Sequence, residues 1–354
     1  MKSIINSKFS FLKKNAPLFI AEISANHNGS FSTAKKILKC AKDNGADLIK
    51  IQTFVPENMT LKSKKKIFKI KSGLWKGRYL WDLYNKAATP VEWHKNLFNY
   101  AKLLNIKIFS SVFDESAVDF LEKLNCPIYK ISSFEMNDFS LIKKISETKK
   151  PLIISTGTSN LKEIDLTFNY IQSCGIKDIA LLYCVSNYPA KNSDFNLNNI
   201  KILKNRYKCT IGFSDHSIDN NIGFASIIAG AEIVEKHVGF EGQKKGLDID
   251  FSLKGKQINE FRRVIDNAYS LLGKNFFFRS ESEIKNKIYR RSIFTVKGIK
   301  KGEKFTIQNI KKIRPGNGLS PIFFNKLIGR RSPFNLSSEI PLTKKLIEKL
   351  KIYS

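Results

Sequence analysis

The sequence predicts a closed (β/α)8 barrel followed by a small second domain. Eight short apolar runs alternate with amphipathic helical segments over about 270 residues. Buried runs of β-branched residues joined by helices indicate a parallel sheet, and eight units at this length indicate a closed barrel. The alternative, an open doubly wound sheet, should show a G-x-G-x-x-G turn after the first strand, and none follows Ile23.

The predicted elements follow one another in a regular order. Strands are expected at 18–23, 48–52, 106–111, 128–132, 152–156, 179–184, 210–213 and 233–236, and helices lie between them, among them 31–43, with 257–272 after the last strand. Thr89-Pro90-Val91-Glu92 has the pattern of a capping box with proline in the first helical position, and predicts a helix start. The aromatic, basic insertion 54–88 is expected either to shape the barrel mouth or to be a surface loop.

The rhythm of strands and helices ends near residue 273. The segment that follows is charged, and beyond it the pattern changes to short strands and turns. We therefore predict a barrel domain at 1–272, a linker at 273–288 and a second compact domain at 289–354.

Composition indicates a globular protein of a reducing compartment. Hydrophobic residues make up 42% of the chain, and no apolar run is long enough to span a bilayer. The basic segment 1–15 lacks the apolar stretch of a signal peptide. Five cysteines are scattered without a C-x-x-C pair, which argues against disulfides and a cysteine zinc site (Cys40, Cys126, Cys174, Cys184 and Cys209). We expect a cytoplasmic location and no membrane association.

The charge balance is unusual, with 61 Lys and Arg against 31 Asp and Glu and a net charge of +30. Such an excess fits nucleic-acid binding, attraction of anionic substrates, or a lysine-rich composition without a specific partner. The lysines are spread over the chain and form no basic stripe interleaved with aromatic residues. Nucleic-acid binding is therefore the least favoured of the three, and it would give salt-sensitive retention of DNA or RNA.

Two lysines fall inside predicted strands, Lys50 in the second and Lys130 in the fourth. A buried ammonium group is costly unless it is paired or faces a ligand. A shared anion such as a phosphate would satisfy both lysines, and hydroxyl groups at the strand ends could donate further hydrogen bonds to it. The alternative is that both lysines pair with Glu22 and Glu235 inside the barrel.

Two histidines, His216 and His237, end neighbouring strands, which lie about 4.8 Å apart. Two imidazoles there could share a divalent ion, with substrate oxygen and water completing the shell. This donor set suits Mn²⁺ or a similar ion better than zinc, whose closed sites need more protein ligands. We interpret His27 and His94 as structural.

A serine-nucleophile site at Ser214-Asp215-His216 is not favoured. Consecutive strand residues point to opposite faces, so these three side chains cannot form a triad with one another. The chain also has no G-x-S-x-G motif.

Six segments resemble the sialic acid synthase family, whose members join phosphoenolpyruvate to an N-acetylated hexose: IAEISANHNGS (20–30), GADLIKIQTF (45–54), YKISSFE (129–135), STGTS (155–159), GFSDHS (212–217) and EKH (235–237). The tail, with RRSIFTVKGIKKGE, RPGNGLSP and LIGRR, is similar to the C-terminal antifreeze-like (SAF) domain of that family. SGLW (72–75), TPVEWH (89–94) and the SNYP stretch at 186–189 most resemble the branch that makes pseudaminic acid, with the N-acetylneuraminic and legionaminic branches as alternatives.

The resemblance implies a role for each matched residue. Phosphoenolpyruvate would be held by Lys50, Ser111, Lys130, Ser133, Ser155, Ser186 and Ser214, the divalent metal by His216 and His237, and the sugar by Glu22, Glu135, Tyr188, Asp248 and Arg314. Glu135, beside Lys130, is the candidate for handling a proton or orienting water, and Glu22, Lys130 and Glu135 form the predicted catalytic set. The metal would be Mn²⁺, with Mg²⁺ or Co²⁺ as alternatives.

The resemblance also implies a homodimer in which each small domain lies over the partner's barrel. Two departures from the family pattern are visible. Val112 stands where the family usually has proline, and we expect only a local backbone change there. Gly246-Leu247-Asp248 matches more loosely, so the assignment of Asp248 is weaker. A barrel that binds without catalysis is disfavoured because His216, His237, Lys50, Lys130 and Glu135 are all present.

Overall fold

The fold is that of a computed structural model, which describes residues 9–13, 16–274 and 276–352. Most of the N-terminal segment 1–15, and with it the prediction that it is no signal peptide, lies outside these residues, as do residue 275 of the predicted linker and residues 353–354 of the second domain. The chain divides into two compact units, Met1–Gly273 and Lys274–Ser354.

The first unit contains nine of the described strands: β1 (Leu18–Glu22), β2 (Leu48–Thr53), β3 (Lys107–Val112), β4 (Tyr129–Ile131), β5 (Leu152–Ser155), β6 (Ile179–Cys184), β7 (Thr210–Asp215), β8 (Ile233–Gly239) and the short β9 (Leu253–Lys254). Its described helices are α1 (Phe31–Asp43), α2 (Pro56–Met59), α3 (Leu80–Ala87), α4 (Val91–Leu103), α5 (Glu115–Glu122), α6 (Phe139–Glu147), α7 (Leu161–Ser173), α8 (Asn198–Arg206), α9 (Asn220–Ile228) and α10 (Lys256–Leu272).

Strands β1 to β8 form a closed parallel barrel. Each pairs with the next along the chain, and β1 also pairs with β8, with Leu18 opposite Ile233 and Glu22 opposite His237. The predicted barrel is thereby confirmed, because an open doubly wound sheet would have two edge strands, each paired on one side only, whereas each of these eight strands pairs on both sides. The carboxyl ends of all eight strands lie at one mouth, where the polar strand-end residues of the sequence meet.

The longer described helices bury apolar residues against the outside of the barrel. In α10, Ile258, Phe261, Ile265 and Ala268 repeat at helical spacing and are fully buried. Burial of each large side chain contributes about 1.5–3 kcal/mol to folding. The ring of Phe261 also packs at a tilt against that of Phe19 of β1, with ring centroids 5.5 Å apart. This packing holds the strands, and therefore the side chains at their ends, in a fixed frame.

The predicted capping box at the start of α4 is wrong. The helix begins at Val91, Pro90 is the residue before it with an extended backbone (ψ 132°), and no side-chain cap is present. Thr89 therefore stands one residue too far from the helix for its hydroxyl to reach the first free backbone N–H groups. That hydroxyl is buried without a hydrogen-bond partner in the described part of the chain.

The second unit has its own small core. Its described elements are α11 (Glu281–Lys285), β10 (Ser292–Thr295), β11 (Ile310–Ile313), α12 (Phe324–Leu327) and α13 (Lys344–Lys349). β10 and β11 pair in antiparallel fashion. The buried residues of its core are Ile293, Ile299, Phe305, Ile310, Leu319, Leu327, Leu342 and Leu346. The predicted linker 273–288 falls almost wholly in this unit and contains α11.

Candidate active site

Lys50 lies in the barrel lumen between two carboxylates. Its Nζ is 2.7 Å from Oε2 of Glu22 and 2.9 Å from Oε1 of Glu235. The strand register explains this, because Glu22 of β1 is the direct partner of Lys50 in β2 and neighbouring residues at one register position share a face. Lys50 therefore pairs with Glu22 and Glu235, as the alternative interpretation of the sequence predicted.

Burial and charge pull the pKa values of this cluster apart. Burial raises the pKa of Glu22 to about 7, against the lowering effect of Lys50. Burial also favours the neutral form of Glu235, but Lys50 and Lys130 outweigh it and lower the pKa of that carboxyl to about 2. Lys50 keeps its proton, since the two carboxylates overcome burial and raise its pKa to about 12. Glu235 is thus the fixed negative charge of the lumen.

Lys130 is equally buried but has only neutral direct partners. Its Nζ donates to the carbonyl oxygen of Ile131 at 2.8 Å and to Oγ of Ser155 at 2.6 Å. No ion pair of Lys130 occurs among the residues that the structure describes. Burial accordingly lowers its pKa to about 8, with the charge of Glu235 only partly opposing this. Lys130 is therefore the lysine whose charge is available to an anion.

Hydroxyl groups surround a backbone N–H next to Lys130. The amide of Gly157 donates to Oγ of Ser133 at 3.0 Å. A Cβ at Gly157 would lie 2.2 Å from Oγ of Ser186 and 2.7 Å from Oγ of Ser133, so only glycine fits. Ser111 Oγ is buried without a hydrogen-bond partner in the described chain, and Ser214 Oγ donates to Glu235 Oε1 at 3.1 Å. Such a set of donors suits an anion like phosphate.

The two histidines face one another, with ring centroids 5.5 Å apart. Nδ1 of His216 lies 3.0 Å from the carbonyl oxygen of Val185. A carbonyl only accepts, so Nδ1 carries the proton and Nε2 keeps its lone pair. Burial alone lowers the pKa of His216, but Cys184 and the Val185 carbonyl raise it above its ordinary value.

The pKa of His237 is shifted in the opposite direction to that of His216. Burial and the charges of His216, Lys50 and Lys236 hold its pKa well below the ordinary range, so its imidazole is neutral. Its Nδ1 is buried without a hydrogen-bond partner among the described residues and lies 3.6 Å from Oδ2 of Asp248. No group of three His, Cys, Asp or Glu side chains within the described ranges could hold a metal by itself. The two imidazoles nevertheless fit an ion that takes its other ligands from substrate and water, and Nδ1 of His237 has no hydrogen-bond partner among the described residues.

Three of the predicted sugar residues lie at the same mouth. Burial raises the pKa of Glu135 to about 7, against the effect of Lys130, and its Oε2 is buried without a hydrogen-bond partner in the described chain. The ring of Tyr188 packs 4.3 Å from that of His216. Oδ2 of Asp248 accepts a long hydrogen bond from the amide of Ala25 at 3.4 Å. Arg314 belongs to the second unit, where it is exposed directly after β11.

The two other histidines are held by protein groups. His94 has Nε2 2.9 Å from Oγ1 of Thr53 and Nδ1 3.1 Å from the carbonyl of Pro90. His27 accepts a hydrogen bond from the amide of Gly29 at 3.1 Å and meets the ring of Trp93 edge-on. Burial lowers the pKa of both.

The sequence offered Glu235 only as an alternative partner of the two lysines, and the structure shows that it pairs with Lys50. Two further features of the mouth were assigned no role from the sequence. Behind the histidines, Lys236 Nζ donates to Asp215 Oδ2 at 2.8 Å, and both side chains are fully buried. Asn26 donates to the Val238 carbonyl at 3.0 Å. It also accepts from the Asp248 amide at 3.2 Å, which fixes that loop.

The departure at Val112 leaves the strand intact. Val112 is the last residue of β3 and pairs with Thr53 of β2. A proline there would lack the backbone N–H that valine retains. That the change relative to proline is only local stays a prediction.

Comparison with known proteins agrees with this geometry. Residues 37–276 match the NeuB family and residues 290–348 match the SAF domain. A pseudaminic acid synthase of Campylobacter jejuni is 40% identical over 316 residues, covering 88% of this chain and 91% of its own. One of Helicobacter pylori is 38% identical and covers 94% and 98%. Among solved structures, an N-acetylneuraminic acid synthetase of Leptospira borgpetersenii, in complex with citrate, superimposes with a TM-score of 0.70 at 26% identity, covering 77% of this chain and 90% of that one.

Proposed function

Because the chain belongs to the NeuB family, we propose that it is a pseudaminic acid synthase. It condenses phosphoenolpyruvate with 2,4-diacetamido-2,4,6-trideoxy-L-altrose to give pseudaminic acid and phosphate. The observation that carries this proposal is the 40% identity to a relative of that name, spread over 88% of the chain. The lumen supports it chemically, since it offers an anion site beside a pair of histidines.

The reaction forms a carbon–carbon bond and a bond from a water oxygen to C2, and it breaks the bond between C2 and the phosphate oxygen; the sugar aldehyde oxygen gains a proton and the water loses its protons. C3 of phosphoenolpyruvate attacks the aldehyde carbon of the open-chain sugar, which leaves cationic character at C2. Water adds at C2, and the resulting tetrahedral centre expels phosphate. The groups supplied by the chain must therefore hold a phosphate, orient two reactants and move protons.

Lys130 is the proposed main contact to the phosphate. Its ammonium has no carboxylate partner among the described residues, and Ser155 Oγ lies 2.6 Å from it. Ser111, Ser133, Ser186 and Ser214 are proposed to complete the anion site with hydroxyl hydrogen bonds. Lys50 would contribute from its place between the carboxylates.

Glu135 is proposed to move the proton or orient the water. With a pKa raised to about 7, it can change protonation state at neutral pH, as a general acid or base must. Glu22, Tyr188, Asp248 and Arg314 are proposed to meet the sugar.

His216 and His237 are proposed to hold a divalent ion, with Mn²⁺ favoured over Mg²⁺ and Co²⁺. When bound, such an ion supplies Lewis-acid polarisation of the sugar aldehyde. The hydrogen bond from His216 Nδ1 to the Val185 carbonyl leaves Nε2 of that ring to face the ion, and the low pKa of His237 favours its neutral, ligating form. Titration calorimetry measures the binding of Mn²⁺ to the purified protein. This binding should be lost in the variant His216→Gln.

Phosphate release from phosphoenolpyruvate tests the function. The protein is given Mn²⁺ and, in parallel, the altrose-configured diacetamido sugar, its legionaminic counterpart and N-acetylmannosamine. Turnover with the altrose sugar alone is expected. Preference for another acceptor would leave the proposed reaction unchanged but assign the protein to the legionaminic or N-acetylneuraminic branch of the family. No release with any of the three by a folded, metal-loaded protein would overturn the proposal.

A homodimer is proposed as the working form, with Arg314 of one protomer serving the barrel of its partner. The variants Lys130→Met and Arg314→Ala should each be inactive alone. After mixing with subunit exchange, activity should return, because one site in the mixed dimer has both residues. Absence of recovery in a sample shown by light scattering to contain exchanged dimers would contradict this arrangement.

The described part of the chain contains no helix long and apolar enough to cross a membrane. We propose a cytoplasmic location, where phosphoenolpyruvate is available.

A further inference from the structure

The insertion between β2 and β3 delivers one aromatic ring to the barrel mouth. Trp75 lies 5.5 Å from the ring of Tyr188, centroid to centroid, with 43° between their planes. Its indole N–H donates to the carbonyl of Leu247 at 3.3 Å, directly before Asp248 in the chain. Trp75 is therefore held from two sides, by a ring on the loop after β6 and by a backbone oxygen on the loop after β8.

A chain of rings connects Trp75 to the two histidines. Tyr188 lies 4.3 Å from His216 and 5.5 Å from Phe251, and Phe251 lies 5.0 Å from His237. Trp75 is one ring further out than Tyr188. An acceptor that extends from the histidines along these rings would have its far end at Trp75.

The length of a hexose fits this interval. Five carbon–carbon bonds of about 1.5 Å separate C1 from C6 and span roughly 6 Å in an extended chain. With its aldehyde beside His216 and its chain running along these rings, the acceptor would place C6 near Tyr188 and Trp75. A cavity of about 530 Å³ also borders Tyr188, and its lining includes Leu74, Ala190, Ile218 and the polar Lys191 and Asp219 but not Trp75. Its volume lies in the range of small-molecule sites.

We propose that Trp75 and Tyr188 form an apolar wall that receives the C6 methyl group of a 6-deoxy acceptor, and that Trp75 sets the preference for this methyl over a 6-hydroxymethyl group. The inference rests on the proposed function. A methyl group makes no hydrogen bonds to water, so packing it against an indole face costs no hydrogen bond. A hydroxyl group in the same place loses its hydrogen bonds to water without replacement. An apolar pocket rejects an added hydroxyl by roughly 100-fold at most, which sets the scale of the effect.

A purely structural role for Trp75 makes a different prediction. Trp75 also packs against the apolar cluster of Ala25, Phe54, Leu83, Ala87 and Leu247 that holds the insertion on the barrel. If Trp75 only fastened the insertion, its removal would impair both kinds of acceptor equally. The ratio of kcat/KM for the two acceptors therefore distinguishes a role of Trp75 in acceptor specificity from a role in holding the insertion on the barrel.

The experiment compares the diacetamido altrose sugar with its 6-hydroxy analogue, each with saturating phosphoenolpyruvate and Mn²⁺. The unaltered protein should prefer the deoxy sugar by roughly 10- to 100-fold in kcat/KM. Trp75→Ala should reduce this ratio to near unity and leave the KM for phosphoenolpyruvate within about twofold. Trp75→Phe, which keeps an aromatic face and loses the N–H to Leu247, should retain most of the preference.

Trp81→Ala is the matched control. Trp81 lies in the same insertion, on α3, where its ring meets Lys62 with Nζ 5.7 Å from the ring centroid. The control should leave the ratio unchanged. A ratio in Trp75→Ala equal to that of the unaltered protein, an equal shift in Trp81→Ala, or no preference in the unaltered protein would each overturn the inference while leaving the proposed function standing. Phosphate release from neither sugar would instead overturn the proposed function, and this inference with it.

Discussion

Replacing Lys130 with methionine should stabilise the fold while abolishing phosphate release. Lys130 is 1% exposed, and burial lowers its pKa from 10.5 to about 8. At about 1.36 kcal/mol for each tenfold change in a protonation constant, the fold disfavours this ammonium by roughly 3 kcal/mol at neutral pH. Methionine has a similar shape without the charge. Loss of the two hydrogen bonds to Ile131 and Ser155 offsets about 1–2 kcal/mol, so a net gain of about 1–2 kcal/mol remains.

The sign of the pH dependence of stability shows whether the buried charge of Lys130 causes the difference. Between pH 8 and 10.5 the unfolded chain holds the Lys130 proton and the folded chain releases it, so stability of the unaltered protein rises with pH in this window. The advantage of Lys130→Met should therefore shrink by about 2 kcal/mol between pH 7 and pH 9.5. Urea unfolding followed by tryptophan fluorescence measures this directly, since Trp75, Trp81 and Trp93 all lie in the barrel unit.

Lys236 provides the matched control. It is as deeply buried as Lys130, but its Nζ meets Asp215 at 2.8 Å. Lys236→Met leaves that carboxylate buried and unpaired, and should destabilise the protein by about 3–5 kcal/mol. If Lys130→Met proved less stable than the unaltered protein at pH 7, or if its advantage did not change with pH, the assignment of Lys130 as an unpaired buried charge would be refuted.

Three further outcomes are expected. Activity measured as kcat/KM for phosphoenolpyruvate should rise with pH through about 7 as Glu135 ionises; in Glu135→Gln the rising limb should vanish, and its persistence would exclude Glu135 as its source. His237→Gln should weaken Mn²⁺ binding at least 100-fold by calorimetry while the unfolding midpoint stays within a few degrees. Asn26→Ala removes the hydrogen bonds to Val238 and the Asp248 amide; it should cost about 2–4 kcal/mol of stability and raise the KM for the sugar more than that for phosphoenolpyruvate.

The barrel was predictable because its signal is distributed over the whole chain. Eight buried runs separated by amphipathic helices leave few topologies, and no single residue decides among them. Boundaries were less accurate, since they depend on one or two local contacts. Thr89 looks like a helix cap in sequence, yet the backbone at Pro90 stays extended and moves the helix start by one residue. β8 likewise runs to Gly239, beyond the predicted end at 236, because polar residues at a barrel mouth resemble a loop.

The two lumen lysines show where sequence reasoning about the site reaches its limit. Lys50 in LIKIQ and Lys130 in IYKIS occupy the same kind of buried strand, so one rule treated both as partners of an anion. Register distinguishes them: Lys50 stands opposite Glu22 in β1, whereas the β3 and β5 partners of Lys130 are Ser111 and Ile153. A carboxylate neighbour gives Lys50 a pKa of about 12 and a neutralised charge, while neutral neighbours leave Lys130 near 8 and electrostatically unsatisfied. A phosphate would therefore interact more favourably with Lys130 than with Lys50, at a position where burial of the charge destabilises the fold.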